Sequence, residues 1–298
     1  MTTVPVNPTH DTKLSVIPPL DPTLLVLRPD EIAFLKQQTG IESDEDIKQH
    51  VLRVQELAYA VFPYPCIHKF YFTSLKISHF PAYGHLLKMG QERNGALFLD
   101  LGCCFGNDAR KLAVDGFPVS QILAVDFNAE FWELGNELFG TTTEKCGIRF
   151  IPGDAFSSTL LDTTATPVDA SSLASIDSLT PLIGHLSAIH ASSFFHLFFE
   201  DKQALLARRV AALVKREPGS IIFGSHVGAK RKGVFSAKLG EMFCHSPESW
   251  TQLWLAVGEE MGVTFDVRAH LASTSADGQV VDVEAQGMGF LEWEVWVV

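Results

Sequence analysis

The chain has 298 residues, is 46% hydrophobic and 19% charged, and carries a formal net charge of −12 at pH 7. Binding along a phosphate backbone needs a basic surface, so this balance excludes nucleic acid as an expected partner and favours a small molecule. The length, free of internal repeats, suits one large α/β domain with added segments.

No apolar run reaches the ~18–20 residues of a membrane span. The polar start Met1-Thr2-Thr3 lacks a basic stretch followed by an apolar one, so a cytoplasmic protein is expected. Cysteines at 66, 103, 104, 146 and 244 form an odd, scattered set with neither a disulfide framework nor metal-ligand spacing. None of the eleven histidines sits in a His-Glu-x-x-His arrangement, so no metal site is expected.

Residues 1–28, with Pro5, Pro8, Pro18, Pro19 and Pro22, have the composition of an extended arm. From Pro29-Asp30-Glu31 the pattern turns helical. Ser43-Asp44-Glu45-Asp46 opens a second helix, carrying Val51, Val54 and Leu57 on to about Val61. Residues 29–93 therefore read as a helical cap ahead of the first strand. Between Phe62 and Tyr83 the chain is dense in aromatics. They suit a hydrophobic seam that docks the cap, and some suit the wall of a pocket for an apolar ligand.

Residues 94–298 read as the core. Leu97-Phe98-Leu99-Asp100-Leu101 is a strand, Gly102-Cys103-Cys104-Phe105-Gly106 a glycine-bearing turn, and Asn107-Asp108-Ala109-Arg110 the start of a helix. A second apolar run, Ile122-Leu123-Ala124-Val125, ends in Asp126 and is followed by Phe127. Strand, glycine turn, helix, strand and acid is the layout by which an open parallel sheet grips a nucleoside, the acid accepting from ribose hydroxyls. A dinucleotide wants Gly-x-Gly-x-x-Gly for its pyrophosphate; only Gly102 and Gly106 fit here. That spacing disfavours a nicotinamide-dependent oxidoreductase.

After a helix over about 129–139 comes a short third strand ending at Pro152-Gly153-Asp154-Ala155-Phe156. Residues 157–180 read as a loop with a short helix. Leu186 to His190 is a fourth strand feeding directly into a helix, and Asp201-Lys202-Gln203 opens a long amphipathic helix. Ser220 to His226 is a fifth strand. Gly228 to Gly233 is a basic loop, and residues 227–250 read as a lid. Ser246-Pro247 starts a helix running to Met261. Segments 263–269 and 289–297 alternate as two final strands joined by the polar linker 273–287.

Asp-x-Gly-x-x-x-Gly at Asp100–Gly106 resembles the first motif of class I S-adenosylmethionine-dependent methyltransferases. Taken with Ile189-His190-Ala191-Ser192-Ser193-Phe194-Phe195-His196-Leu197, Gly219–His226 and His245-Ser246-Pro247-Glu248-Ser249-Trp250, the chain from about residue 25 onward is similar to fungal secondary-metabolite methyltransferases. It is most similar to those that esterify carboxylates of farnesylated meroterpenoid intermediates. The resemblance implies a Rossmann-like, seven-stranded and mostly parallel sheet, with an antiparallel last strand inserted between the fifth and sixth. It implies S-adenosylmethionine as cofactor, held at Asp100, Gly102, Cys103, Cys104, Gly106, Asp126, Phe127, Asp154, Ala155, Phe156 and His190. The family usually carries a glycine where this chain has Cys104. Asp154 is expected to accept from the adenine amine while Phe156 covers the base. The resemblance and the arm are compatible with a homodimer, for which the sequence supplies no interface.

Methyl transfer from a sulfonium is an in-line displacement, so the protein's task is to align the reactants and exclude water. A carboxylate acceptor, ionised near pKa ~4, needs no base; a phenol near ~10 does. His190, at the end of the fourth strand, is the first candidate to orient the acceptor or take its proton, with His226 and His245 behind it. The paired thiols Cys103 and Cys104 are expected to be unreactive, since a small side chain in a tight turn accounts for them. Two alternatives stay open: methylation of a phenol or alcohol with a histidine base, and a non-catalytic nucleoside-binding scaffold.

Overall fold

The computed structural model describes residues 17–165, 173–237, 240–275, 280–281, 283 and 287–298. Most of the arm, part of the 157–180 loop, two positions of the expected lid and most of the 273–287 linker lie outside these residues. Before the first strand come α1 (Pro29–Thr39), α2 (Asp44–Val61), the single turn α3 (Pro65–His68) and α4 (Tyr83–Glu92). Ser43 caps α2 by accepting from the Asp46 amide, and Gly40 ends α1 in the left-handed region.

The sheet is built from β1 (Leu97–Leu101), α5 (Asn107–Val114), β2 (Ile122–Asp126), α6 (Ala129–Leu138), α7 (Thr143–Cys146), β3 (Arg149–Pro152), β4 (Leu186–His190) and α8 (Glu200–Leu213). The chain continues through β5 (Ile221–Ala229), a separate two-stranded hairpin of β6 (Gly233–Ala237) and β7 (Gly240–Cys244), then α9 (Pro247–Met261), β8 (Phe265–Ala272) and β9 (Met288–Val297). Strand order is β3-β2-β1-β4-β5-β9-β8, parallel except for β9, which runs antiparallel to both β5 and β8. This is the seven-stranded class I methyltransferase arrangement expected from the sequence, with β9 inserted between β5 and β8. None of the described helices is long and apolar enough to cross a membrane.

Period-two alternation divides the core. Leu99, Leu101, Ile189 and Ile222 face α8 and α9, while Phe98, Ala188, Phe223 and Phe117 pack with α4 and α5 on the other face. A third cluster joins Phe34, Val51, Val54, Phe70 and Phe72 of the cap to Phe105, Phe131 and Phe139. The aromatic segment is thus a seam: Phe70, Phe72 and Phe80 are buried, and Phe72 stacks on Phe105 with centroids 4.7 Å apart. Leu25 and Leu27, in the part of the arm that is described, pack against the same cluster, and Tyr59 Oη donates to the Pro18 carbonyl.

Three local expectations are corrected. The chain after β4 does not pass straight into a helix but makes a left-handed turn at Ser193 and a 3-10 turn over Phe195–Leu197 before α8 begins at Glu200. The basic loop shrinks to residues 230–232, because β5 continues to Ala229 alongside β9 and the β6–β7 hairpin follows. The last part of the expected lid is core: His245 and Trp250 are both buried.

Candidate functional site

Open parallel sheets bind ligands beyond the carboxyl ends of their strands, where the strand order reverses. Here that point lies between β1 and β4, and a small cleft opens beside it. Leu101, Gly102, Val125, Asp126, Phe127, Gly153, Asp154, Ala155, Phe194 and Phe198 line it. Five of the expected cofactor residues, Gly102, Asp126, Phe127, Asp154 and Ala155, meet there.

The turn after β1 positions Asp126. Gly102, Cys104 and Gly106 all have positive φ, at 74°, 51° and 69°. The left-handed region suits glycine and rarely a cysteine, so Cys104 keeps the backbone that a glycine would take. Its amide then donates to Asp126 Oδ2 at 2.8 Å, while the Asn128 amide donates to Oδ1 at 3.0 Å. Burial pushes the Asp126 carboxyl up to about 6, against the pull of these amides. Asp154 Oδ1 accepts from the Phe156 amide at 2.9 Å.

The cleft residues fit an adenosine. A carboxylate has four lone-pair sites, and the amides directed at Asp126 are those of Cys104, Asn128 and Phe127, so it keeps acceptor capacity for a ribose hydroxyl. Asp154 likewise keeps an oxygen for an amine donor. Leu101, Val125, Phe127 and Ala155 supply apolar surface for a purine, and Gly102 brings backbone to the cleft floor.

The other expected residues lie outside the cleft lining. Gly106 makes room for packing, since a Cβ there would lie 2.4 Å from Trp132 Cζ3. Phe156 packs edge-on against Phe198, 4.8 Å between centroids, outside the cleft lining. Burial raises the thiols of Cys103 and Cys104 well above their ordinary range, which agrees with their expected inertness. Asp100 is buried and faces His190 rather than the cleft: His190 Nδ1 lies 2.8 Å from Asp100 Oδ1.

His190 reaches outward only through Ser192, whose Oγ is 2.7 Å from Nε2. Burial lowers the imidazole's proton affinity, but the hydrogen bond and charge of Asp100, with Asp108 behind it, outweigh this and leave it raised. His226 and His245 do not join this group. Alternation along β5 puts His226 on the α9 face, where Phe195, Trp250 and Trp293 surround it and Trp293 Nε1 donates to Nδ1 at 3.0 Å. Burial pushes His226 well down, and His245 down to about 4, so both are neutral. Their Nε2 atoms are buried without a hydrogen-bond partner among the described residues.

Sequence reasoning passed over Lys76, Ser192 and Ser193. Lys76 Nζ donates to Ser193 Oγ at 3.1 Å, and Ser193 immediately precedes Phe194 of the cleft. Nothing in the spacing of Ser74-Leu75-Lys76-Ile77 marks it, because its partner lies 117 positions away.

Residues 20–73, from the end of the arm through α1, α2 and α3 and a little beyond, match the family described as meroterpenoid methyltransferase N-terminal domain. The Asnovolin E/Chermesin D methyltransferase nvfJ of Aspergillus novofumigatus is 34% identical over 79% of this chain and 78% of its own. The O-methyltransferase phiE of a fungal species is 34% identical over 75% and 69%. Among solved structures, the 1,6-didemethyltoxoflavin-N1-methyltransferase of Burkholderia thailandensis aligns at 13% identity with a TM-score of 0.48, over 87% of this chain and 92% of that one. On the sequence relationship to nvfJ and phiE, the chain belongs to the fungal meroterpenoid methyltransferase family and is an enzyme whose cofactor is S-adenosylmethionine.

Proposed function

We propose that the enzyme methyl-esterifies a carboxylate on a small, largely apolar molecule of the meroterpenoid type. The observation that carries this reading is the state of its three candidate bases. Two histidines are neutral, held among the aromatic rings that pack under α9, and the third is buried with a raised proton affinity. None presents a free nitrogen to the cleft, which favours an acceptor that arrives already ionised.

When bound, S-adenosylmethionine supplies an electrophilic methyl: a carboxylate oxygen forms the new C–O bond as the C–S bond breaks, and its electron pair stays on sulfur as a neutral thioether. The chain's part is to bind and align. Asp126 accepts from the ribose hydroxyls, Asp154 from the adenine amine, and the apolar walls beside Phe127 and Ala155 exclude water. His190 is a positioning residue that acts through Ser192.

A second reading, methylation of a hydroxyl with His190 taking the proton through Ser192, draws on the 2.7 Å contact between them. Incubation with methyl-labelled cofactor and a panel of terpenoid acids, phenols and alcohols separates the two. Label in a base-labile ester supports the carboxylate; label confined to base-stable ethers overturns it.

A further inference from the structure

Arg209 places a buried guanidinium in an apolar wall. Leu206, Val210 and Leu213 recur at helical spacing along one face of α8, and Arg209 shares that face, lining with them a small hollow whose other walls include Leu160, Leu161 and Leu179. The hollow borders the cofactor cleft, since Leu101 and Ala155 line both. Burying a cation among leucines costs far more than burying a methionine of similar length, so an arginine here calls for partners that an apolar residue would not serve.

Those partners are three backbone oxygens of one loop. Nε donates to the Ala155 carbonyl at 2.6 Å, and Nη2 donates to the carbonyls of Ser157 and Leu161, each at 2.8 Å. The loop follows β3 and carries Asp154 and Ala155 into the cleft lining. Its decisive unit is the peptide between Ala155 and Phe156. A trans peptide is planar, with its C=O and N–H pointing opposite ways. Arg209 donates to the C=O, while the N–H of the same unit donates to Asp154 Oδ1 at 2.9 Å. One rigid plane therefore joins the guanidinium to the carboxylate, and the bond at one end strengthens the bond at the other. The Ser157 amide, donating to the Asp154 carbonyl at 2.9 Å, closes the turn. With Oδ1 fixed in this way, the second oxygen of Asp154 is the one left for an exocyclic amine.

We propose that Arg209 is the positioning residue for adenine selection, holding the Ala155–Phe156 peptide so that Asp154 keeps one orientation at the cleft. Arg209 itself stands outside the cleft lining and acts only through that peptide. The proposal rests on Asp154 accepting from the adenine amine, as read above, and is independent of which acceptor is methylated.

The test compares S-adenosylhomocysteine with S-inosylhomocysteine, which presents a carbonyl where adenine has its amine, each titrated calorimetrically into the full chain. A carbonyl facing the Asp154 carboxylate forfeits the hydrogen bond, so the wild type should prefer the adenosyl compound by about 10- to 100-fold. In Arg209→Met this preference should shrink to about 3-fold or less through weaker adenosyl binding, with the inosyl affinity held within about 3-fold of wild type. Arg209→Lys keeps the charge but not the fork that spans three carbonyls; it should fall between the two, and it keeps the test decisive where Arg209→Met does not fold. Equal loss of both ligands, or a preference unchanged in the folded variants, overturns the role of Arg209. Asp154→Asn separates this failure from failure of the underlying contact, because its preference should vanish or invert. A preference that persists in Asp154→Asn, or is absent from the wild type, removes the adenine contact and the positioning role with it.

Discussion

His190 and Asp100 are partners across the β1–β4 junction, Nδ1 to Oδ1 at 2.8 Å, with both side chains buried. Asp100, Asp108, Lys76 and Ser192 face the ring, and Phe80 and Phe223 pack against it. Its proton affinity in the folded state is raised above the unfolded value, so the stability it contributes is complete below about pH 6.5 and is lost as pH rises through the folded value. The melting temperature should therefore decline with pH above about 6.5 in the wild type, and this slope should flatten in His190→Leu. That variant strands the Asp100 charge and should cost about 3–5 kcal/mol at pH 6 in denaturant titrations. A slope that persists undiminished in His190→Leu would assign it to other groups.

Cofactor affinity should fall on acidification. With its carboxyl pushed up to about 6, Asp126 loses acceptor capacity as pH drops through that value. Titrations with S-adenosylhomocysteine between pH 7.5 and 5 should show an inflection near 6, absent in Asp126→Asn. Asp108, also pushed up to about 6 by burial, lies outside the cleft lining, and Asp108→Asn should keep the inflection.

The seam between α6 and the cofactor turn tolerates no added carbon at one position. A Cβ at Gly135 would lie 2.1 Å from the Phe105 carbonyl oxygen, a backbone atom that cannot swing aside. Gly135→Ala should destabilise the enzyme by about 1–3 kcal/mol, as overpacking does. Gly84, on the exposed side of α4 with nothing within 4 Å, is the control. Its replacement by alanine should be neutral or stabilising by up to about 1 kcal/mol.

Thiol chemistry should leave the turn untouched. Burial raises both Cys103 and Cys104 well above the ordinary thiol range, and the Asp126 charge pushes the same way. Native enzyme held with iodoacetamide at pH 7.5 should show neither residue alkylated by peptide mass spectrometry, whereas unfolded enzyme should show both.

The strand–turn–helix–strand run from Leu97 to Asp126 was legible because its apolar runs, glycines and terminal acid are all local signals. So was the inserted β9, which follows from the family resemblance. The far end of β5 was not. Gly228 suggests a loop, yet its missing side chain serves a close approach, since a Cβ there would lie 2.6 Å from Leu291 Cβ. The sequence ranks His190 ahead of His226 and His245 by its place at a strand end but does not show which face each occupies. Only alternation within the sheet separates His190, sharing a face with Phe223, from His226, sharing one with Ile222. Lys76 was invisible for another reason: its place depends on Asn107 and Asp108 gripping a distant loop, a relationship no window of sequence contains.

That grip constrains how the enzyme admits its guests. Were the loop to swing away from α5, the buried Asp108 carboxylate and Asn107 amide would each lose the amide or carbonyl they hold, a penalty that makes rigid-body opening at this point rare. The segment around residue 76 is consequently a wall rather than a door.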